Sequence, residues 1–257
     1  MSTLALIVLF SLLGGVLSVL AASTFLLAPD RWRTRLLPHL VSFAVGSMLG
    51  AAFLAVLPHA ILNPYTRDIH SIGYAVLGGL LLFFLLEKLI LWRHHHAHEG
   101  HDHEHGCKEG PAGYLILAGD SLHNFIDGIV IAAAFLSDTH LGVVTALAVA
   151  THEIPQEVGD FAVLLASGFS RSRAFLFNML SSLATVVGGV LAYFMLANLQ
   201  PIIPYVLAVA AASFVYIAVA DLMPGLHKRA QPRAALQQLV LIVAGAATIH
   251  FAHAAMH

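Results

Sequence analysis

Charge is scarce in this chain. Of 257 residues only 12 are lysine or arginine and 14 aspartate or glutamate, 10% in all, against roughly 25% in an average soluble domain. A formal net charge of −2 leaves no cationic surplus for a phosphate backbone, which excludes a nucleic-acid partner. The single cysteine, Cys107, rules out a disulfide framework within the chain and says nothing of compartment. No P-loop pattern occurs, so ATP is not implied. A cleaved signal is also a poor reading of the N-terminus: the first apolar run is long, lacks a basic start and has no clear small-residue cleavage site.

What is abundant is apolar sequence, at 59% of residues. Predominantly apolar stretches recur at roughly 3–28, 38–58, 71–92, 112–136, 141–168, 174–198, 202–222 and 235–255. A bilayer core about 30 Å thick needs about 20 helical residues at 1.5 Å each. The chain therefore reads as an all-α integral membrane protein with eight transmembrane helices in a lipid bilayer. By organisation, residues 1–92 hold the first three runs, 93–111 a histidine-rich insertion and 112–257 the remaining five, in one membrane domain.

Basic residues fall on one side of that plan. Arg31, Arg33, Arg35, Arg93, Lys108, Arg171, Arg173, Lys228, Arg229 and Arg233 lie in alternate connections, and Arg67 alone in the opposite set. The positive-inside rule then places both termini outside the cytoplasm. A compact multi-pass chain without targeting additions suits a prokaryotic inner membrane. The insertion "RHHHAHEGHDHEHGCKEG" carries His94, His95, His96, His98, His101, His103 and His105. With so little apolar surface it reads as an irregular loop, and its neutral imidazoles suit weak multivalent metal binding. Glycine pairs 14–15, 78–79 and 188–189 inside apolar runs mark close helix approach.

Five of the fourteen acidic residues sit inside the fourth and fifth runs: Asp120, Asp127, Glu153, Glu157 and Asp160. Facing lipid, each would cost several kcal/mol, so such residues line a cavity or meet a partner. "DSLHNFIDG" sets Asp120, His123, Asn124 and Asp127 on one helical stripe. On the fifth run His152, Gln156, Asp160, Glu153 and Glu157 share an arc of about 140°. His123 and His152 both fall near mid-membrane by rise per residue. Imidazole with carboxylate and amide oxygen can hold a divalent transition metal. Interhelical hydrogen bonding, with Asn124 and Gln156 as polar glue, is the plainer alternative. Asp120 and Asp160, about two turns along, fit either a path for the ion or local partnerships. Pro155 removes a backbone donor and frees the carbonyl of Thr151.

"THEIPQEVGDF" comes close to the H-E-x-x-H zinc-protease pattern, but Gln156 stands where the second histidine would be. "HNFIDG" at 123–128 followed by "HEIPQEVGDFAVLL" at 152–165 instead resembles the ZIP divalent metal-ion transporters, in the branch whose fifth helix reads His-Glu-x-Pro-His-Glu. "LPHAI" at 57–61, "EKL" at 87–89, the His-rich third connection and "DLMPGLH" at 221–227 extend the resemblance along the chain. It implies helices 1–3 and 6–8 as an inverted pseudo-repeat around helices 4 and 5. It also implies metal movement toward the cytoplasm, with His123, Asn124, Asp127, His152, Glu153 and Gln156 as the transport site. Met48 in "GSM" matches a position that can add a thioether, and Glu157 belongs to the branch signature as an occasional ligand. Helix 6 here offers Asn178, serines and Thr185 in place of a glutamate, which implies one principal site.

The expected activity is transport of Zn²⁺, with Fe²⁺, Mn²⁺ and Cd²⁺ compatible, by alternating access and without enzymatic chemistry. No cofactor is expected, since the metal is cargo, and a homodimer is common for such a fold. Two rival readings are an intramembrane zinc hydrolase using His152 and Glu153, and an exporter of the same metals.

Overall fold

Where no water can hydrogen-bond the backbone, long apolar segments must satisfy their amides internally as helices. The computed structural model describes residues 1–98, 110–227 and 231–255, and every regular element among them is helical. Eight long helices follow one another: α1 (Thr3–Leu26), α2 (Asp30–Leu62), α3 (Ile69–His98), α4 (Pro111–Ser137), α5 (Thr139–Ala166), α6 (Arg171–Leu196), α7 (Gln200–His227) and α8 (Pro232–Ala254). Seven are long and apolar enough to cross a membrane. The exception is α5: its 28 residues suffice in length, but His152, Glu153, Gln156, Glu157 and Asp160 dilute its apolar content.

Two boundaries differ from the apolar runs. Helix α2 starts at Asp30, so Arg31, Arg33 and Arg35 lie on its first turns, where Asp30 faces Arg33 in an ion pair. An acidic residue in the first turn complements the helix dipole, which is how a helix begins in polar sequence. Helix α3 likewise continues through His98, so His94, His95, His96 and His98 extend a helix rather than an irregular loop. Elongation adds one hydrogen bond per residue once a helix is nucleated, which carries it past the apolar run. His101, His103 and His105 lie outside the described residues, as do Cys107, Lys108, Lys228 and Arg229.

Helix packing comes in matched sets. α1 lies on α5 as α6 lies on α4, α8 lies on α2 as α3 lies on α7, and α2 meets α5 as α7 meets α4. Exchanging 1 with 6, 2 with 7, 3 with 8 and 4 with 5 maps every pair onto another. The exchanged helices are an odd number of spans apart, so in an alternating bundle they run oppositely: the relation is an inverted repeat. Local structure repeats the theme. α2 widens into a π-type turn at Ala51–Val56 just before Pro58, and α7 does so at Ile217–Leu222 just before Pro224. Each proline ring clashes with a carbonyl four residues back and removes a donor. A widened turn is one way a helix absorbs that insult and continues.

Small residues set the closest approaches. A methyl group on Gly128 of α4 would sit 2.6 Å from the Gly189 amide of α6, and one on Gly188 would sit 2.9 Å from the Phe125 carbonyl carbon. One on Gly46 of α2 would sit 2.6 Å from the Ile242 carbonyl carbon of α8. Of the glycines picked out by pairing in sequence, Gly15 and Gly79 make such contacts, to Ser182 and Ala212, whereas Gly78 has open space around it. Backbone-to-backbone contact of α6 with α4 holds the polar stripe of α4 in fixed register.

Candidate metal centre

The polar stripes of α4 and α5 face each other. One ligand atom from each of His123, Asp127, His152 and Glu153 lies within 4.8 Å of all the others. His123 Nε2 is 3.1 Å from His152 Nε2, 3.7 Å from Asp127 Oδ2 and 3.4 Å from Glu153 Oε1. His152 Nε2 is 3.2 Å from Asp127 Oδ2 and 3.6 Å from Glu153 Oε1. A tetrahedron with metal–ligand bonds of about 2.0–2.1 Å has edges of about 3.3 Å, and these five edges bracket that value. Asp127, His152 and Glu153 are buried; His123 keeps about a fifth of its side chain exposed, at 20%.

Protonation follows from the backbone. The Nδ1–H of His152 donates to the Ala148 carbonyl one turn back, at 3.1 Å, which leaves its Nε2 lone pair aimed at the centre. None of the carboxylate oxygens of Asp127 and Glu153 receives a hydrogen bond. Two imidazoles and two carboxylates thus converge on one point. With both rings neutral, such a set balances the charge of a divalent ion.

The other residues expected at the site are placed differently. Asn124 is fully buried, but its Nδ2 donates to Asp120 Oδ1 at 2.9 Å and its Oδ1 accepts from Thr185 Oγ1 of α6 at 2.7 Å. The amide therefore braces α4 against α6 behind the four-residue cluster. Gln156 lies one turn from His152 on the wall of an adjoining cavity, with a buried Oε1 that accepts no hydrogen bond. Asp120 and Asp160 line the same cavity. Glu157 is fully buried, and neither of its oxygens has a hydrogen-bond partner. Met48 is buried in the apolar core.

The cavity measures about 470 Å³ and is walled by α3, α4, α5 and α7. It runs from His123 toward the end of the bundle that carries the α3–α4 and α7–α8 connections. Glu87 of α3 and Asp221 of α7 add two carboxylates to its wall, and the Tyr216 hydroxyl donates to Glu87. Sequence reasoning missed these two acids as site residues, because each closes an apolar run and reads as an interfacial charge; only their place in "EKL" and "DLMPGLH" hinted otherwise. Toward the opposite end, the centre is capped by packed apolar side chains that include Ile131, Phe135, Leu141, Val144 and Val149, with Phe10 of α1 5.3 Å from Phe135.

An open coordination position is what a zinc hydrolase requires for its water. Here Glu153 is drawn in beside His152 as a fourth ligand atom rather than standing off as a base, so the arrangement does not favour hydrolysis.

Comparison with known proteins agrees with this geometry. Residues 2–111 and 92–252, two overlapping segments, match the profile described as ZIP zinc transporter. Zinc transporter ZIP13 of Pongo abelii is 35% identical over 227 residues, which cover 81% of this chain and 64% of that protein. Zinc transporter SLC39A7 of Rattus norvegicus is 29% identical over 82% of this chain and 64% of its own length, and zinc transporter ZIP4 of the same species 31% identical over 72% and 38%. The chain thus spans a little less than two thirds of the first two relatives. Fold, polar centre and sequence lead to one assignment: the chain belongs to the ZIP zinc transporter family.

Proposed function

We propose that this chain moves divalent transition-metal ions across a membrane, zinc foremost, through the centre formed by His123, Asp127, His152 and Glu153. The observation that carries the reading is the set of five ligand–ligand distances, 3.1 to 3.7 Å, between two imidazoles and two carboxylates. They suit a small ion with nitrogen and oxygen ligands, and the same donors accommodate Fe²⁺, Mn²⁺ and Cd²⁺ less selectively.

Orientation follows from the basic residues. Arg31, Arg33, Arg35, Arg171, Arg173 and Arg233 stand at the first turns of α2, α6 and α8, at the end of the bundle that the acidic cavity faces. By the positive-inside rule that end is cytoplasmic, both termini are outside, and the conformation is open inward. An ion at the centre would leave past His123 and Gln156, whose amide oxygen is a weak ligand, and then meet Asp120, Asp160, Glu87 and Asp221. A string of weaker oxygen sites favours release, since conduction needs binding loose enough to leave. Alternating access then requires the apolar cap to part while the cavity closes, as helices of one half shift against the other. The C-terminal end of α3, which carries His94, His95, His96 and His98, lies at the same end that the cavity faces. A prokaryotic inner membrane and a homodimer are the setting we favour.

Flux in sealed proteoliposomes tests this. Zinc should enter down an imposed gradient, with Fe²⁺, Mn²⁺ and Cd²⁺ competing to different extents. His152→Ala and Asp127→Ala should abolish flux in protein that inserts normally. Flux unchanged in both variants would remove the assigned centre, and strict outward flux in oriented vesicles would establish export.

A further inference from the structure

A second pair of imidazoles stands at the far end of the bundle. His59, in the last turn of α2, and His253, in the last turn of α8, meet edge to face with ring centroids 5.2 Å apart. The Nδ1–H of His59 donates to the Ala55 carbonyl one turn back at 3.0 Å, the same lock that fixes His152 on Ala148. Its Nε2 is therefore the lone-pair nitrogen. Both rings are half-buried, so they are reachable from outside yet held in place.

Negative charge stands close by. Asp138 is the one-residue link between α4 and α5, and its carboxylate accepts the Leu141 amide at 2.9 Å. Burial opposes its ionisation, but the Leu141 and His140 amides and then the His140 and His59 imidazoles hold its carboxyl below the usual range. His59 is thus near enough to bear on Asp138, across the boundary between α2 and the α4–α5 hairpin. Eleven residues of α4 separate Asp138 from Asp127, or about 16 Å along the axis. The apolar cap of Ile131, Phe135, Leu141 and Val144 fills that interval.

Resting on the transport reading of the central cluster, we propose that His59 and His253 form an outer capture station for the same divalent metal ion, with Asp138 supplying charge. Two imidazoles completed by water make a weaker site than four protein ligands. That is the order of affinity an inward carrier needs at its mouth. Placement on α2, α8 and the α4–α5 link also puts the station across the surfaces that must part for the ion to pass the cap.

Histidine footprinting with diethylpyrocarbonate, read by mass spectrometry, tests the station independently of flux. The protein carries Asp127→Ala and His152→Ala to empty the central cluster. His39 of α2 is the internal control, since its Nδ1 has the same backbone lock to Arg35 but it pairs with no other imidazole among the described residues. Zinc should lower modification of His59 and His253 at least about threefold relative to His39. Protection no greater than at His39 overturns the proposal, whether or not the parent transports. In the protein with its central cluster intact, His59→Gln with His253→Gln should raise KM for zinc about fivefold and leave kcat within about twofold. An unchanged KM also overturns it. Protection of both histidines, together with no flux by the protein whose central cluster is intact, would leave the station standing and sink the transport reading instead.

Discussion

Asparagine in place of Asp127 should remove the protein's response to zinc. In the empty centre the ligand oxygens of Asp127 and Glu153 lie no more than 4.8 Å apart. Two unit charges at that distance repel by about 3.5 kcal/mol at an effective dielectric near 20. The substitution removes that repulsion and, with it, the pull of the carboxylate on the imidazoles of His123 and His152, 3.7 and 3.2 Å away. It also turns an acceptor toward a donor: Asp127 Oδ2 lies 3.2 Å from the His152 Nε2 lone pair, a position from which an asparagine N–H could donate. The parent, by contrast, gains about 2.7 kcal/mol from zinc at a hundredfold excess over its Kd. A site weakened about a hundredfold would gain only about 0.4 kcal/mol at the same concentration. The assay is thermal unfolding in detergent, followed by fluorescence of Trp32 and Trp92, with chelator or with zinc. The variant should fold in chelator, with its zinc shift largely gone. A variant that keeps the parent's zinc shift refutes the view that these carboxylates are held together for a cation.

Gln156→His adds an imidazole at the point where the centre opens into the cavity, and should raise zinc affinity while slowing turnover, measured by equilibrium binding beside proteoliposome flux. Gly128→Ala forces α4 away from the backbone of α6 and should cost about 1–3 kcal/mol as overpacking does, with uptake reduced because Asp127 is the adjacent residue; unfolding temperature and flux together check it. Asp138→Ala should cost about 1 kcal/mol as a lost helix cap, whereas Asp138→Asn should preserve the cap. Because the folded-state pKa of Asp138 is depressed, its charge contributes stability above the ordinary value of 3.8 and loses it as pH falls through the lower folded value. Asp138→Asn should therefore trail the parent slightly at pH 5 and match it well below pH 3.8, in unfolding curves at the two conditions.

Much of this organisation was legible in the residues. Eight apolar runs become eight helices, and "HNFIDG" with "HEIPQE" announces the facing stripes because rise and rotation of a helix convert spacing into geometry. Spacing fails where the deciding contact lies on another helix. Asn124 shares the stripe with His123 and Asp127, yet Thr185 on α6 captures its carbonyl, and nothing in the fourth run announces that. Glu87 and Asp221 join the path only because α3 and α7 pack together beside α4. The inverted repeat is equally silent in sequence: Leu57-Pro58 and Met223-Pro224 correspond by the widened turns before them, and little else in those stretches matches.

The α4–α5 hairpin has a consequence for biogenesis. Only Asp138 separates Ser137 from Thr139, and α5 carries three carboxylates, Glu153, Glu157 and Asp160, within its length. An insertion machinery that tests one segment at a time would reject it, since Glu153, Glu157 and Asp160 each count against it. α5 must therefore enter as the second arm of a hairpin, with α1 already waiting to cover it. The residues that hold the cargo are then also the ones that make the order of assembly obligatory.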